Sequence, residues 1–254
     1  MSPTSPSVLI LSMPTLPLAS SLAETYLLHP LPPPDLIIAL GSFTTSEPQA
    51  NNIIPTPEQT AASIGTVTSV LSQLENIVCR LLYLPSHQDP FGLIGSTDDL
   101  RLTPNSRNIL NRSLSITPQI QIHGHTQNVT LDKSPLTSAC YDIDDSDDDS
   151  DYDTYSQIIT SLSSNLTSII VVNLRSCEAD HQIHQIPARI LSLLKSDECQ
   201  EKVKLVILNG DKKLDCKVGN VRVVVAGVMG VGDFAVVKFE EDGEVTDVDF
   251  KKFK

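Results

Sequence analysis

Along this chain, short apolar runs alternate with longer segments whose apolar residues recur at helical spacing. Runs at residues 8–11, 36–40, 77–84, 168–173 and 203–208 carry mostly Val, Ile and Leu, the composition of strands buried on both faces. Between them, 18–28, 57–74, 155–166 and 187–194 read as helices. At 57–74 the start is well marked: Thr56 is a candidate N-cap, Pro57 fits the first turn, and Glu58 places a negative charge at the positive end of the helix dipole. Strand, crossover helix and strand in succession predict an α/β architecture with parallel strands in covered sheets. A half-exposed strand is expected at 116–123, where apolar and polar residues alternate. The end of the chain differs. Strands at 221–227, 234–240 and 245–250 lie too close together for crossover helices, so they are expected to form a C-terminal antiparallel meander. Residues 1–254 are read as one domain.

Composition narrows the picture. Aromatic residues make up 4% of the 254 residues and Trp is absent, so the core falls to aliphatic side chains. The formal net charge is −13, and the 18 basic residues are scattered, which argues against a nucleic-acid partner and is more compatible with a basic one. Five cysteines (Cys79, Cys140, Cys177, Cys199, Cys216) form no CxxC pair and are odd in number, as expected for reduced packing thiols. The run at 8–11 has no Lys or Arg before it and is broken by Pro14 and Pro17, so it reads as a first strand and not as a signal peptide. No stretch reaches the roughly 20 apolar residues of a membrane span. A cytoplasmic protein is the expectation, and the sequons at Asn111, Asn128 and Asn165 are chance matches. Residues 142–153 hold eight Asp in twelve positions, a density of like charge that excludes a helix interior or a strand. They are read as an acidic loop insertion, in which Ser146 and Ser150 are candidate phosphorylation sites.

In open α/β sheets, ligands bind beyond the carboxyl ends of the parallel strands. Those positions are Ser12-Met13-Pro14, Gly41-Ser42-Phe43-Thr44, Pro85-Ser86-His87-Gln88-Asp89-Pro90, Asn173-Leu174-Arg175 and Asn209-Gly210-Asp211. In order and spacing, most densely over 35–44, 74–90, 218–227 and 233–237, the chain resembles the calcineurin-like metallophosphoesterases. The resemblance implies a four-layer αββα sandwich holding two metal ions. In that family the ligands come from D-x-H after the first strand, G-D-x after the second, G-N-H-D after the third, a later His, and a late G-H-x-H.

Carried over position by position, most of those ligands are replaced. Ser12-Met13-Pro14 has neither Asp nor His, and Ser42 stands where the metal-bridging carboxylate belongs. His87 falls on the Asn ligand, Gln88 on the catalytic His, and Asp89 alone matches. Asn173 takes the place of the later His, and Asn209-Gly210-Asp211 that of the late His pair. Gln does not protonate a leaving alkoxide as His does. His123-Gly124-His125-Thr126 resembles the late motif in isolation, but it precedes two further strand and helix units and is read as a pair of surface histidines. His181 and His184, at i and i+3, are read as an exposed polar turn.

Loss at every motif, with the strands still legible, implies a catalytically degenerate protein-interaction module without a cofactor. The alternative is a divergent phosphoesterase with one divalent metal (Mn, Fe or Zn) drawn from His87, Asp89, His123, His125, His181 and Asp211.

Overall fold

Every residue of the apolar strands β2 (Leu36–Leu40) and β3 (Leu81–Leu84) is buried, and β1 (Ser7–Ser12) is buried from its second residue on. The computed structural model describes residues 6–29, 32–44, 56–78, 80–86, 89, 101–126, 158, 160, 162, 166–173, 186, 188–210, 212–240 and 242–252. The remaining strands are β4 (Ser106–Asn108), β5 (Arg112–Ser115), β6 (Ile120–Thr126), β7 (Thr167–Asn173), β8 (Val203–Leu208), β9 (Leu214–Val218), β10 (Val221–Val225), β11 (Asp233–Phe239) and β12 (Val245–Lys252). They form two six-stranded sheets, ordered β12-β11-β1-β2-β3-β4 and β5-β6-β7-β8-β10-β9. Each has a parallel centre, β1 to β4 in one and β6, β7, β8, β10 in the other. Antiparallel strands complete one edge of the first sheet, β11 and β12, and both edges of the second, β5 and β9.

Alternation along these strands sorts the core into layers. Ile10, Ile38 and Leu40 of the first sheet meet Ile122, Val171 and Ile207 of the second across one apolar layer. The opposite face of the first sheet, through Leu9, Leu11 and Ile37, is covered by α1 (Leu16–Leu28) and α2 (Pro57–Glu75). On the second sheet, Ile170, Val172, Val206 and Leu208 lie under α3 (Ala188–Leu194) and α4 (Asp197–Lys202). This is the αββα sandwich that the resemblance implies. No helix among the described residues is long and apolar enough to cross a membrane.

At α2 the expected cap is present in full. Thr56 Oγ1 accepts from Gln59 N at 3.2 Å, and Thr56 N donates to Gln59 Oε1 at 2.8 Å, a capping box that satisfies two otherwise orphaned amides. Thr56→Ala is expected to lower stability by about 1 kcal/mol, read as a shift of the urea midpoint with the m-value unchanged. A neutral result would mean that solvent caps this helix equally well.

Several boundaries differ from the sequence reading. The strand expected at 77–84 starts at Leu81, because Ile77 and Val78 finish the turn leaving α2, Ile77 N donating to Leu74 O at 3.0 Å. They are apolar because they pack under that helix, not because they pair. The strand expected at 116–123 runs from Ile120 to Thr126. Ile116 and Thr117 instead close a turn, with Ile116 N donating to Ile120 O at 2.9 Å. Edge strands β5 and β9 and the short α4 carry no apolar run and escaped the pattern.

Antiparallel pairing at the C-terminus holds for β11 and β12, which complete the first sheet beside β1. The strand before them, β10, belongs to the other sheet, parallel to β8 and antiparallel to β9. The three terminal strands are therefore divided between the sheets. Residues 142–153, most of the helix expected at 155–166, and Cys79, Cys140 and Cys177 lie outside the described residues. Cys199 is buried and Cys216 partly so, and burial raises both thiols above their ordinary pKa.

Candidate functional site

The carboxyl ends of β1, β2, β3, β7 and β8 converge. Met13 N donates to Leu40 O at 2.8 Å and Gly41 N to Leu84 O at 2.8 Å, joining the first three strand ends. Asn173, at the end of β7, reaches across the sandwich: its Nδ2 donates to Gly41 O at 3.0 Å and Leu84 O at 3.4 Å. Thr126 Oγ1, at the end of β6, donates to Pro85 O at 2.7 Å. Beside them, Asn209 N donates to Val172 O at 3.4 Å. The two sheets are thus stitched together where the family's chemistry would be placed.

Asp89 sits at the centre of this stitching and is almost wholly buried. Its Oδ1 accepts from Phe43 N at 2.8 Å, and its Oδ2 accepts from Ser86 N at 2.8 Å and Ser86 Oγ at 3.2 Å. Those donors favour the charged carboxylate, but burial outweighs them and pushes its pKa up to about 6. Gly41 allows the approach: a Cβ there would collide with Asp89 Oδ2 and lie 2.8 Å from Ser86 N. Ser42 Oγ donates to Thr44 O at 2.8 Å. The Phe43 ring stands edge-on to Tyr83, centroids 6.2 Å apart. Ser12 Oγ, Thr44 Oγ1 and Asn173 Oδ1 are buried without a hydrogen-bond partner among the described residues, places suited to ordered water or a polar ligand.

No family model and no curated protein sequence matches the chain. Solved structures do. TT1561 of Thermus thermophilus aligns over 98% of this chain and 99% of its own, with 14% identity and a TM-score of 0.61. A dimetal phosphatase from Danio rerio aligns over 99% and 100%, with 9% identity and a TM-score of 0.54. A candidate 5'-nucleotidase from Staphylococcus aureus, crystallised with alpha-ketoglutarate, aligns over 98% of this chain and 54% of its own, with 12% identity and a TM-score of 0.52. The chain has the calcineurin-like metallophosphoesterase fold.

On that fold, a pair of divalent ions would need several anionic or imidazole donors at the converged strand ends. The described residues there do not fit: Ser12, Ser42, Asn173 and Asn209 are neutral, and both oxygens of Asp89 already serve the loop. Among the described residues, no three His, Cys, Asp or Glu side chains are grouped as a metal would require. His87, Gln88, Asp211, His181 and His184 lie outside the described residues.

His123 and His125 are not surface groups. Both lie within β6 and are buried, at 0% and 3% exposure. They stand beside Ile170 and Val172 in register, on the outer face of the second sheet and not the inter-sheet face. His123 Nδ1 is 2.6 Å from Ser113 Oγ and its Nε2 is 3.2 Å from Ser168 Oγ, whereas neither ring nitrogen of His125 has a partner among the described residues. The sequence misled here because a Gly-His repeat reads as a loop, yet Gly124 is required within the strand: a Cβ there would collide with Ile109 O. Ser12 and Thr44 were placed at strand ends from the sequence, whereas nothing in its pattern marked Thr126 as part of the strand-end cluster.

Proposed function

We propose that this chain is a catalytically degenerate member of its fold that serves as a protein-interaction or scaffold module. The observation carrying the proposal is the state of Asp89. It is the described carboxylate of the loop after β3, and its oxygens are taken up by Phe43 N, Ser86 N and Ser86 Oγ; Asp233, where β11 begins beside the end of β1, is paired with Lys213 at 2.9 Å. A carboxylate so engaged holds two loops together, and coordinating a cation would compete with those bonds. Metal-assisted hydrolysis needs an ion with an open position, an activated water and a clamp for charge on the phosphoryl group. Ser12, Ser42, Asn173 and Asn209 supply no ionised group for any of these.

The test is metal content and melting temperature of the purified protein with manganese, zinc, iron and calcium, alongside hydrolysis of a generic phosphodiester. No metal-dependent rise in melting temperature and no turnover are expected. Two ions bound per chain, with turnover abolished in Ser42→Ala or His87→Ala, would overturn the proposal in favour of a phosphoesterase with substitute ligands.

A further inference from the structure

Strand β12 runs for eight residues along the edge of the first sheet, and no strand among the described residues pairs with its outer side. The ladder shows which of its main-chain groups are open. Phe239 N donates to Pro6 O at 3.0 Å, so this residue of β11 turns its main chain toward β1, and alternation turns Val237 and Ala235 the same way. Lys238, Val236 and Phe234 then face β12, where they pair with Asp247, Asp249 and Lys251. Val248, Phe250 and Lys252 consequently aim their N–H and C=O groups away from the sheet. Two contacts from the second sheet leave these groups open: Lys213 Nζ approaches Lys251 O at 3.4 Å, and Arg222 Nη1 donates to Val245 O at 3.4 Å, closing only the start of the strand. The side chains of Val248 and Phe250 pack against the inter-sheet core and stay partly exposed. An edge of this kind is a template for another strand.

The strand's charges fit a second copy of this chain. With a net charge of −13, two copies repel over most of their surfaces. On β12, however, Asp247 and Asp249 are balanced by Lys251 and Lys252, and Asp249 and Lys251 share one face, 3.4 Å apart. Two identical antiparallel strands related by a two-fold axis centre their pairing on one residue. Centred on Val248, the pairing sets Asp247 against the partner's Asp249. Centred on Asp247 or Asp249 it sets a carboxylate against itself, and on Lys251 or Lys252 an ammonium group against itself. Like charges directly opposite are unfavourable. Centred on Phe250, it sets each Asp249 against the partner's Lys251 and brings the two Phe250 side chains together. The same register joins the open N–H and C=O groups of Val248, Phe250 and Lys252 to their counterparts. We propose that two copies of this chain pair antiparallel through β12, centred on Phe250, so that their first sheets become one continuous sheet. The pairing stands whether or not the strand-end cluster retains any chemistry.

Sedimentation equilibrium of the full chain over a range of concentrations tests this, and a concentration-dependent dimer is expected. Asp249→Lys sets lysine against lysine across the axis, and Lys251→Asp sets aspartate against aspartate. Each should weaken self-association about tenfold or more. Mixed in equal amounts, the two variants should associate with each other about as well as the parent does with itself, because every such contact between them is again Asp against Lys. Mixing repairs a contact between chains, whereas it leaves a fault in folding or in the pair within one chain as it was. Glu24→Lys, on an exposed position of α1, alters the net charge as Asp249→Lys does and should leave the dimer intact. A monomer at every concentration would overturn the proposal. So would a dimer unaffected by either β12 variant, which places the contact elsewhere, or variants that stay monomeric when mixed, which excludes the register.

Discussion

Asp89→Ala should be the most damaging substitution at the strand-end cluster, lowering stability by about 3 kcal/mol and the melting temperature by about 10 °C. The carboxylate takes the amide hydrogens of Phe43 and Ser86 at 2.8 Å each. Removing it leaves both donors buried, and an unsatisfied buried donor costs about 1–3 kcal/mol; relief of the buried charge offsets only part. Asp89→Asn keeps one acceptor oxygen but turns an amide toward the other donor, so an intermediate loss is expected. The same residue carries a pH signature. Its folded pKa of about 6 lies above its ordinary 3.8, so between these values the folded protein binds a proton that the unfolded chain releases. Its contribution therefore falls as pH rises from about 4 to about 6, and it is missing in Asp89→Asn. Thermal melts of the three proteins from pH 4 to 7 read both effects. Hydrolytic activity lost in Asp89→Ala with an unchanged melting temperature would show that the residue serves chemistry and not the loops.

The distinction between scaffold and site explains how unevenly the sequence could be read. Strands β1, β2, β7 and β8 were legible because burial on both faces demands unbroken Val, Ile and Leu. Helix α2 was legible from Thr56 and Pro57. Edge strands β5 and β9 need only half their residues apolar and are only four or five residues long, so no periodicity accumulates. The assignment of β10 to the other sheet was invisible for a different reason. Loop length shows that β10 and β11 are not joined by a helix, yet it does not say that the chain crosses from one sheet to the other. Asn173 could be placed at the end of its strand from order alone. Its bonds to Gly41 O and Leu84 O, 132 and 89 residues away in sequence, depend on the packing of the two sheets, which no local pattern encodes. The resemblance puts Asp89 on a ligand position of that family, and its work as a clasp between the β2 and β3 loops follows only from the geometry.

The buried histidines of β6 should dominate the acid behaviour of the protein, and His125→Leu should remove about half of their effect. Burial lowers His123 to about 4 and His125 to about 3, His125 further by the nearby His123 ring. Both stay neutral in the folded protein while the unfolded chain protonates near its ordinary 6.5. The stability this contributes is complete above about pH 6.5 and is lost as pH falls toward those folded values. Between about pH 6 and pH 4 the unfolded chain thus takes up two protons that the folded one refuses, while Asp89 in the folded protein takes up one that the unfolded chain does not. One net proton remains, a slope of about 1.4 kcal/mol per pH unit. Removing the His125 titration cancels that remainder, so the variant's stability should be nearly flat across the window while the parent's declines. At pH 7 the variant should be no less stable than the parent. Among the described residues His125 has no hydrogen bond to lose, and an apolar side chain beside Val172 avoids the cost of burying two unpartnered nitrogens. His123→Leu should behave differently, because it takes the imidazole from the buried Ser168 hydroxyl, whereas exposed Ser113 finds water, and so lowers stability at pH 7 while flattening the acid limb equally. Urea midpoints of the three proteins from pH 4 to 7.5 separate these outcomes. A large loss in His125→Leu at neutral pH would mean that its ring holds a bound group, and the face of β6 would then become the second place to look for a metal.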